Sequence, residues 1–316
     1  MSIISKEDIQ KAQEQIESII NAGAPIAKLN MFDILDNYVP SEKVKNQAEY
    51  TIELYLELYD KLINCNEEVQ RVFLNTLKEA DIVDNQSIEK EDSFLITLLR
   101  NLERTTSIDL LLKKYCNDKF ISREDFIKIH DNLLDGTSSD DKIGLRDNDL
   151  KFVGSIMINP TTKFHYENRA ISYFPLKHSE IDEALTKLLD YINNGVKIKN
   201  KYDILLIPIA CHGLIASLQL FKDGNTRYGR LIQNIMMFKL LNDDLHLNLN
   251  LPLVYATRQY AAFRDDYRKF VEDIVVNNNN EAWDEWFNFN LKRIQDGIFR
   301  NISSLETLNN RGIRTR

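Results

Sequence analysis

Glycine and proline are scarce in this chain, 10 and 6 in 316 residues. Average usage of the two together is about 12%, more than twice what is found here. Folds built from many short strands turn the chain roughly every ten residues, and these two residue types supply many of the turns. The scarcity argues against β-sandwiches and barrels and excludes collagen-like or low-complexity sequence. It also disfavours a dinucleotide-binding α/β fold, whose phosphate loop needs the G-x-G-x-x-G pattern that this chain lacks. The expectation is an all-α protein whose few glycines sit where the backbone has no alternative.

The charge balance, 40 basic against 48 acidic residues for a net −8, opposes general attraction to nucleic acid or to an anionic membrane. No apolar run approaches the roughly 20 residues that span a bilayer, and the opening MSIISKEDIQKAQEQ is too polar for a signal peptide. Cys65, Cys116 and Cys211 lie far apart, without metal-ligand spacing, and read as buried thiols of a cytoplasmic protein.

Periodicity divides the chain into an N-terminal helical region (1–85), a core (86–300) and a C-terminal tail (301–316). Apolar positions at helical spacing run through 6–22. Ser41 caps a helix reaching about Leu62, and 66–80 repeats the period. SFLITLLRNLERT and SIDLLLKKYC read as two buried helices parted near Thr105–Thr106. In ISREDFIKIHDNLLDG, Ser122 is the N-cap, Asp125 follows three residues on, and Gly136 closes the helix. KFVGSIMI and AISYF form the one β-like stretch, a hairpin with a long tip. An amphipathic helix over 179–193 follows. The helix over 203–220 is apolar all round and therefore central, with Pro208 tolerable only in a first turn. Helices over 226–242, 256–276 and 281–299 finish the fold. His212 reads as a satisfied core histidine, and Trp283, Trp286, Phe287 and Phe289 as core packing.

Polar signals concentrate in QLFKDGNTRYGR, residues 219–230. A buried helix ends at Phe221, Asp223–Gly224 makes a tight turn, and Asn225 or Thr226 caps the next buried helix. That helix start presents unpaired N–H groups and a positive dipole end, suited to an anion. Arg227 and Arg230, at i and i+3, add bidentate phosphate donors. Asp223 beside them suits Mg²⁺, which takes one or two carboxylates together with phosphate oxygens. The residues therefore describe a Mg²⁺–nucleotide polyphosphate site between two core helices. Gly213 and Gly229 are read as allowing close helix packing and an unobstructed helix surface respectively.

The segment resembles the loop of the Fic (filamentation induced by cAMP) family, H-x-F-x-D-G-N-G-R-x-x-R. Phe221, Asp223, Gly224, Asn225, Arg227 and Arg230 match it; Thr226 stands where Gly or Lys is usual. FISREDFIKIHDNLL, RDNDLKFVGS, SYFPLKHSEIDEALTKLLDYIN and ATRQYAAFRDDYRKFVEDIV are similar to the family's flanking helices and target-binding flap, so the likeness spans roughly 86–300. The resemblance implies a Fic-type helical core with a small β-hairpin flap, and transfer of AMP from Mg²⁺–ATP to a hydroxyl of a protein. That protein, or the chain itself, would dock at the 151–175 hairpin, and a homo-oligomer is compatible with this. It implies Asp223 as the Mg²⁺ ligand and Gly224, Asn225 and the Thr226 amide as the anion hole. Arg227 would support the β-phosphate and Arg230 the γ-phosphate.

The chain departs from the pattern at Gln219, which occupies the position of the family's general base, a histidine. A carboxamide has no useful basicity near neutral pH and can only orient a hydroxyl. The expectation is an impaired or altered adenylyltransferase. The alternatives are an inactive nucleotide-binding or interaction module, and a transferase for another donor of phosphate, UMP or phosphocholine. Many family members also carry an inhibitory helix, [S/T]-x-x-x-E-[G/N]. Its nearest match is NQSIEK, with Glu89 as the regulatory Glu and two of three defining positions altered; the plainer reading of Glu89 is a solvated acidic residue.

Overall fold

A computed structural model describes residues 23–87, 106–135, 137, 142–149, 153–156, 169–194 and 200–311, with scattered positions from 10 to 21. Its helices are α1 (Asn30–Asp36), α2 (Glu42–Ile63), α3 (Glu67–Ser87), α4 (Ser107–Leu111) and α5 (Arg123–Leu134). After strands β1 (Val153–Ile156) and β2 (Arg169–Tyr173) come α6 (Ile181–Asn193), α7 (Asp203–Leu218), α8 (Asn225–Asp244), α9 (Thr257–Ala262), α10 (Arg264–Val276) and α11 (Asn280–Arg311). The all-α expectation holds.

Helix starts follow the sequence. Ser41 Oγ accepts from the Val44 amide, and Ser122 Oγ from that of Asp125. Thr106 and Asp109 form a reciprocal capping box, which starts α4 at Ser107. Beyond Leu111 the chain continues as a π-helical turn, Leu112–Asn117.

Helix α7 is the centre. Every residue from Ile204 to Leu218 is buried, as its all-round apolarity requires. Its main neighbour is α8, and glycines set its approach both to α8 (Gly229) and to α11 (Gly213). A Cβ on Gly229 would lie 2.6 Å from His212 Cδ2 and 3.1 Å from the His212 carbonyl oxygen. A Cβ on Gly213 would lie 2.8 Å from Trp286 Nε1. Gly213 is thus a close-packing residue as read. The surface of Gly229, however, is not unobstructed: His212 covers it.

Around this contact runs a buried polar chain. Tyr267 OH donates to His212 Nε2 (2.9 Å), and His212 Nδ1 donates to Gln233 Oε1 (2.6 Å). Gln233 Nε2 donates to Tyr260 OH (2.8 Å), which donates to Asn290 Oδ1 (2.6 Å). Each group has a partner, so burial carries no unpaired penalty here. His212 is the satisfied core histidine that the sequence suggested. Burial drives its pKa down to about 3, against the Gln233 hydrogen bond, which raises it, and with the Arg230 charge, which lowers it further.

The N-terminal helices belong to the same core. Gln295 of α11 donates to Thr51 Oγ1 of α2 (2.9 Å), and Tyr38 OH donates to Asp284. Residues 25–27 run beside the end of the hairpin, with Ala27 N donating to Phe174 O and Phe174 N to Pro25 O, both 2.9 Å. β1 and β2 are antiparallel, Ile156 facing Arg169 and Val153 facing Tyr173, with an irregularity between Val153 and Gly154.

Several expectations need correction. Pro208 lies inside α7, beyond the first turn; it removes the N–H that would bond the Ile204 carbonyl, and burial on all sides holds the helix together regardless. The predicted 256–276 helix is two, because Phe263 leaves helical geometry at φ −123°, ψ 42°. The last helix runs to Arg311, and Asn301 and Leu305 are buried, so 301–311 is packed helix and not a tail. Cys65 and Cys116 are only half-buried; Cys211 is buried. Gly136, the hairpin tip and the SFLITLLRNLERT helix lie outside the described residues, as does most of the 6–22 helix. Among the described residues no helix is long and apolar enough to cross a membrane.

If the α7–α8 approach depends on Gly229, Gly229→Ala should lower stability by about 1–3 kcal/mol, despite alanine's better helix propensity. Chemical denaturation measures it; an unchanged or higher midpoint contradicts the packing account.

Candidate functional site

The end of α7 and the start of α8 are joined by residues 219–224. Gln219 is the C-cap of α7 and adopts left-handed geometry (φ 53°, ψ 55°). A non-glycine residue there costs roughly 1–2 kcal/mol, so surrounding contacts must hold it. They do: Gln219 Nε2 donates to Ala216 O (2.6 Å), and Gln219 Oε1 accepts from Asn225 Nδ2 (3.3 Å). Arg146 Nε donates to the Gln219 carbonyl (2.7 Å), Arg146 Nη1 to Asn148 O (2.8 Å), and Arg146 Nη2 to Leu176 O. One buried guanidinium therefore ties the loop to the segments either side of the hairpin.

Asn225 is the first residue of α8, not its cap; the cap position is Gly224, at φ 71°. The Asn225 side chain instead staples the loop, accepting from Phe221 N (2.9 Å) and donating to Phe221 O (2.9 Å). Lys222 N donates to Gly144 O (3.1 Å) and Arg146 N to Leu220 O (2.9 Å), so segment 144–146 lies alongside the loop.

Asp223 is half-exposed, and its Oδ1 accepts from the Gly224 amide (2.6 Å). Two cations stand 3.9 Å from its carboxylate, Arg227 Nη2 and Lys142 Nζ. The structure thus brings together Gln219, Asp223, Gly224, Asn225 and Arg227, with Thr226 half-buried in the first turn of α8. Arg230 is also buried, one turn deeper, within electrostatic reach of Asp81, His212 and Tyr260. Glu89 lies outside the described residues.

The donor set fits a polyphosphate with a divalent cation. One half-exposed carboxylate, two cations and the first amides of a 20-residue helix converge on the turn. Among the described residues there is no cluster of three or more His, Cys, Asp or Glu that would hold a metal without help from a ligand.

Sequence reasoning missed three contributors. Lys142 lies outside the segments singled out in the sequence, and Arg146 falls in RDNDLKFVGS, noted only for its likeness to the flap. His130 sits on the buried face of α5 with Phe126 and Leu134, one turn away on either side, and its spacing to Phe126 was a usable signal. Its ring stacks on Phe221 (centroids 3.7 Å, 10° between planes). Next to it, burial works to raise Asp131, but hydrogen bonds from His130 and the Gly144 amide prevail and hold it below the usual carboxylate range.

These features define a class, a helical protein with a tight turn between two core helices and a two-stranded hairpin. Residues 120–237 match the Fic/DOC family. Solved structures agree on the fold. The C. elegans protein Fic-1 is 14% identical, with a TM-score of 0.57 over 84% of this chain and 74% of that one. A Fic family protein from Desulfovibrio desulfuricans G20 is 14% identical, with a TM-score of 0.55 over 84% and 76%. A Fic domain containing signaling protein from Bacteroides thetaiotaomicron VPI-5482 is 11% identical, with a TM-score of 0.57 over 81% and 97%. No curated protein sequence matches the chain.

Asp81 on α3 gives this region a pH signature. Burial pushes its carboxyl up to about 7, opposed by a Thr257 hydrogen bond, assisted by Asp84, and opposed by Arg230. A carboxyl raised on folding contributes stability that is whole below its unfolded value and is lost as pH rises through the folded value. Asp81→Asn should therefore raise the thermal midpoint more at about pH 8 than at about pH 5. A pH-independent difference would count against the burial account.

Proposed function

We propose that this chain is a Fic-type protein adenylyltransferase whose rate is reduced by Gln219. ATP is the donor, Mg²⁺ the cofactor, and a hydroxyl of a protein, or of the chain itself, the acceptor. Asp223 would hold Mg²⁺, which when bound offsets the charge of the polyphosphate. Gly224, Asn225 and the Thr226 amide would receive the α- and β-phosphates, with Arg227 on the β-phosphate and Arg230 on the γ-phosphate. The 151–175 hairpin would present the acceptor.

In the reaction the acceptor oxygen bonds to the α-phosphorus, the bond from that phosphorus to the bridging oxygen breaks, and pyrophosphate leaves. The acceptor's proton must go to a base. Gln219 cannot take it, because a carboxamide has no useful basicity, so the proton passes to solvent. Loss of a general base costs about 10²–10⁴ in rate. The observation that carries this reading is the state of Gln219: its amide is engaged on Ala216 O and Asn225, at the position where the motif has its histidine.

The same observation favours a second reading, a nucleotide-binding module that signals by occupancy without transfer. Incubation with labelled ATP and lysate, wild type beside Gln219→His, separates them. Weak label in the wild type that rises about 10²-fold or more in Gln219→His supports the transferase. ATP binding without label in either protein supports the module. Absence of both refutes the nucleotide site, and label from another donor alone would replace ATP.

A further inference from the structure

The turn that carries Asp223 rests on a residue from another helix. His130 is fully buried, and its Nε2 lies 2.9 Å from the Asp223 carbonyl oxygen. A carbonyl can only accept, so Nε2 carries a proton and donates it. Nδ1 lies 3.0 Å from Asp131 Oδ1, which also accepts the Gly144 amide (2.9 Å). The ring is clamped on one edge by Asp131 and on one face by Phe221, and its remaining edge is aimed at the turn.

The consequence follows from peptide geometry. The C=O and N–H of a trans peptide point in opposite directions. When His130 holds the Asp223 oxygen on the inner side, the Gly224 N–H is turned to the other side, where the Asp223 carboxylate accepts it. The peptide plane is thus gripped at both ends, and the grip fixes where the carboxylate sits. There is no slack beneath: a Cβ on Gly224 would lie 2.7 Å from Leu134 Cδ2 and 3.2 Å from His130 Nε2.

We propose that His130 is a positioning residue for the Asp223–Gly224 turn, its Nε2–H setting the peptide orientation on which the Asp223 carboxylate and the first amides of α8 depend for binding a divalent cation and polyphosphate. The ligand half of this statement rests on the nucleotide reading above; the hold on the turn does not.

Three variants separate the donor from the bulk. His130→Phe keeps a ring for Phe221 and loses the donor. His130→Gln carries an amide nitrogen that reaches the Nε2 position. His130→Asn reaches only the Nδ1 position. Two measurements are made on each full-length protein: amide hydrogen exchange at Gly224 without ligand, and Mg²⁺–ATP affinity by calorimetry. His130→Phe and His130→Asn should each speed Gly224 exchange and weaken Mg²⁺–ATP binding by about tenfold or more. His130→Gln should restore both to within about threefold of wild type. Equal effects of His130→Phe and His130→Gln, or changes in melting temperature alone, would overturn the proposal. If wild type binds no Mg²⁺–ATP, the nucleotide reading falls. Gly224 exchange then still decides whether His130 holds the turn.

Discussion

The close approach of α7 and α8 is the constraint from which the rest follows. Gly229 permits it, with His212 of α7 in the space it leaves, and Gly213 does the same for α7 against Trp286 of α11. Residues 219–224 alone connect the two helices, so the chain must reverse direction within them. Such a turn needs left-handed backbone, found at Gln219 and Gly224. The αL conformation at Gln219 is held by hydrogen bonds to the side chain and to its carbonyl. The site is thus a by-product of core packing: a turn forced by the core, at the positive end of a helix.

What surrounds the turn holds it in place. Arg146 ties Gln219 to both flanks of the hairpin, Asn225 closes the loop on itself, and α5 supports it from below through His130 and Leu134. The charges are arranged in depth. Lys142 and Arg227 flank the half-exposed Asp223, and Arg230 lies deeper, near the largely desolvated Asp81. A cation buried this far costs desolvation unless anions or dipoles meet it.

The amount legible in the sequence depended on the range of each interaction. Caps at Ser41, Thr106 and Ser122 were local and readable, as was the all-round apolarity of α7. That the residues from Asp223 to Arg227 share one turn was readable because they are adjacent in the sequence. Pro208 was misjudged because burial on every side overrides a local breaker, and the end of α11 because its last turns are held by Leu305 and Asn301 against distant partners. His130 lies 93 positions from Asp223, and nothing local marks the pairing; only the fold brings them together. The covering role of His212 over Gly229 was hidden for the same reason.

The central claim is that the turn between α7 and α8 is a Mg²⁺–polyphosphate site intact apart from its base. The most direct test is a crystal structure after soaking with ATP and Mg²⁺. The account predicts phosphate density over the first turn of α8, a metal on Asp223, and the α-phosphate near Gln219. Nucleotide bound elsewhere, or a turn left empty at saturating ATP, would contradict it.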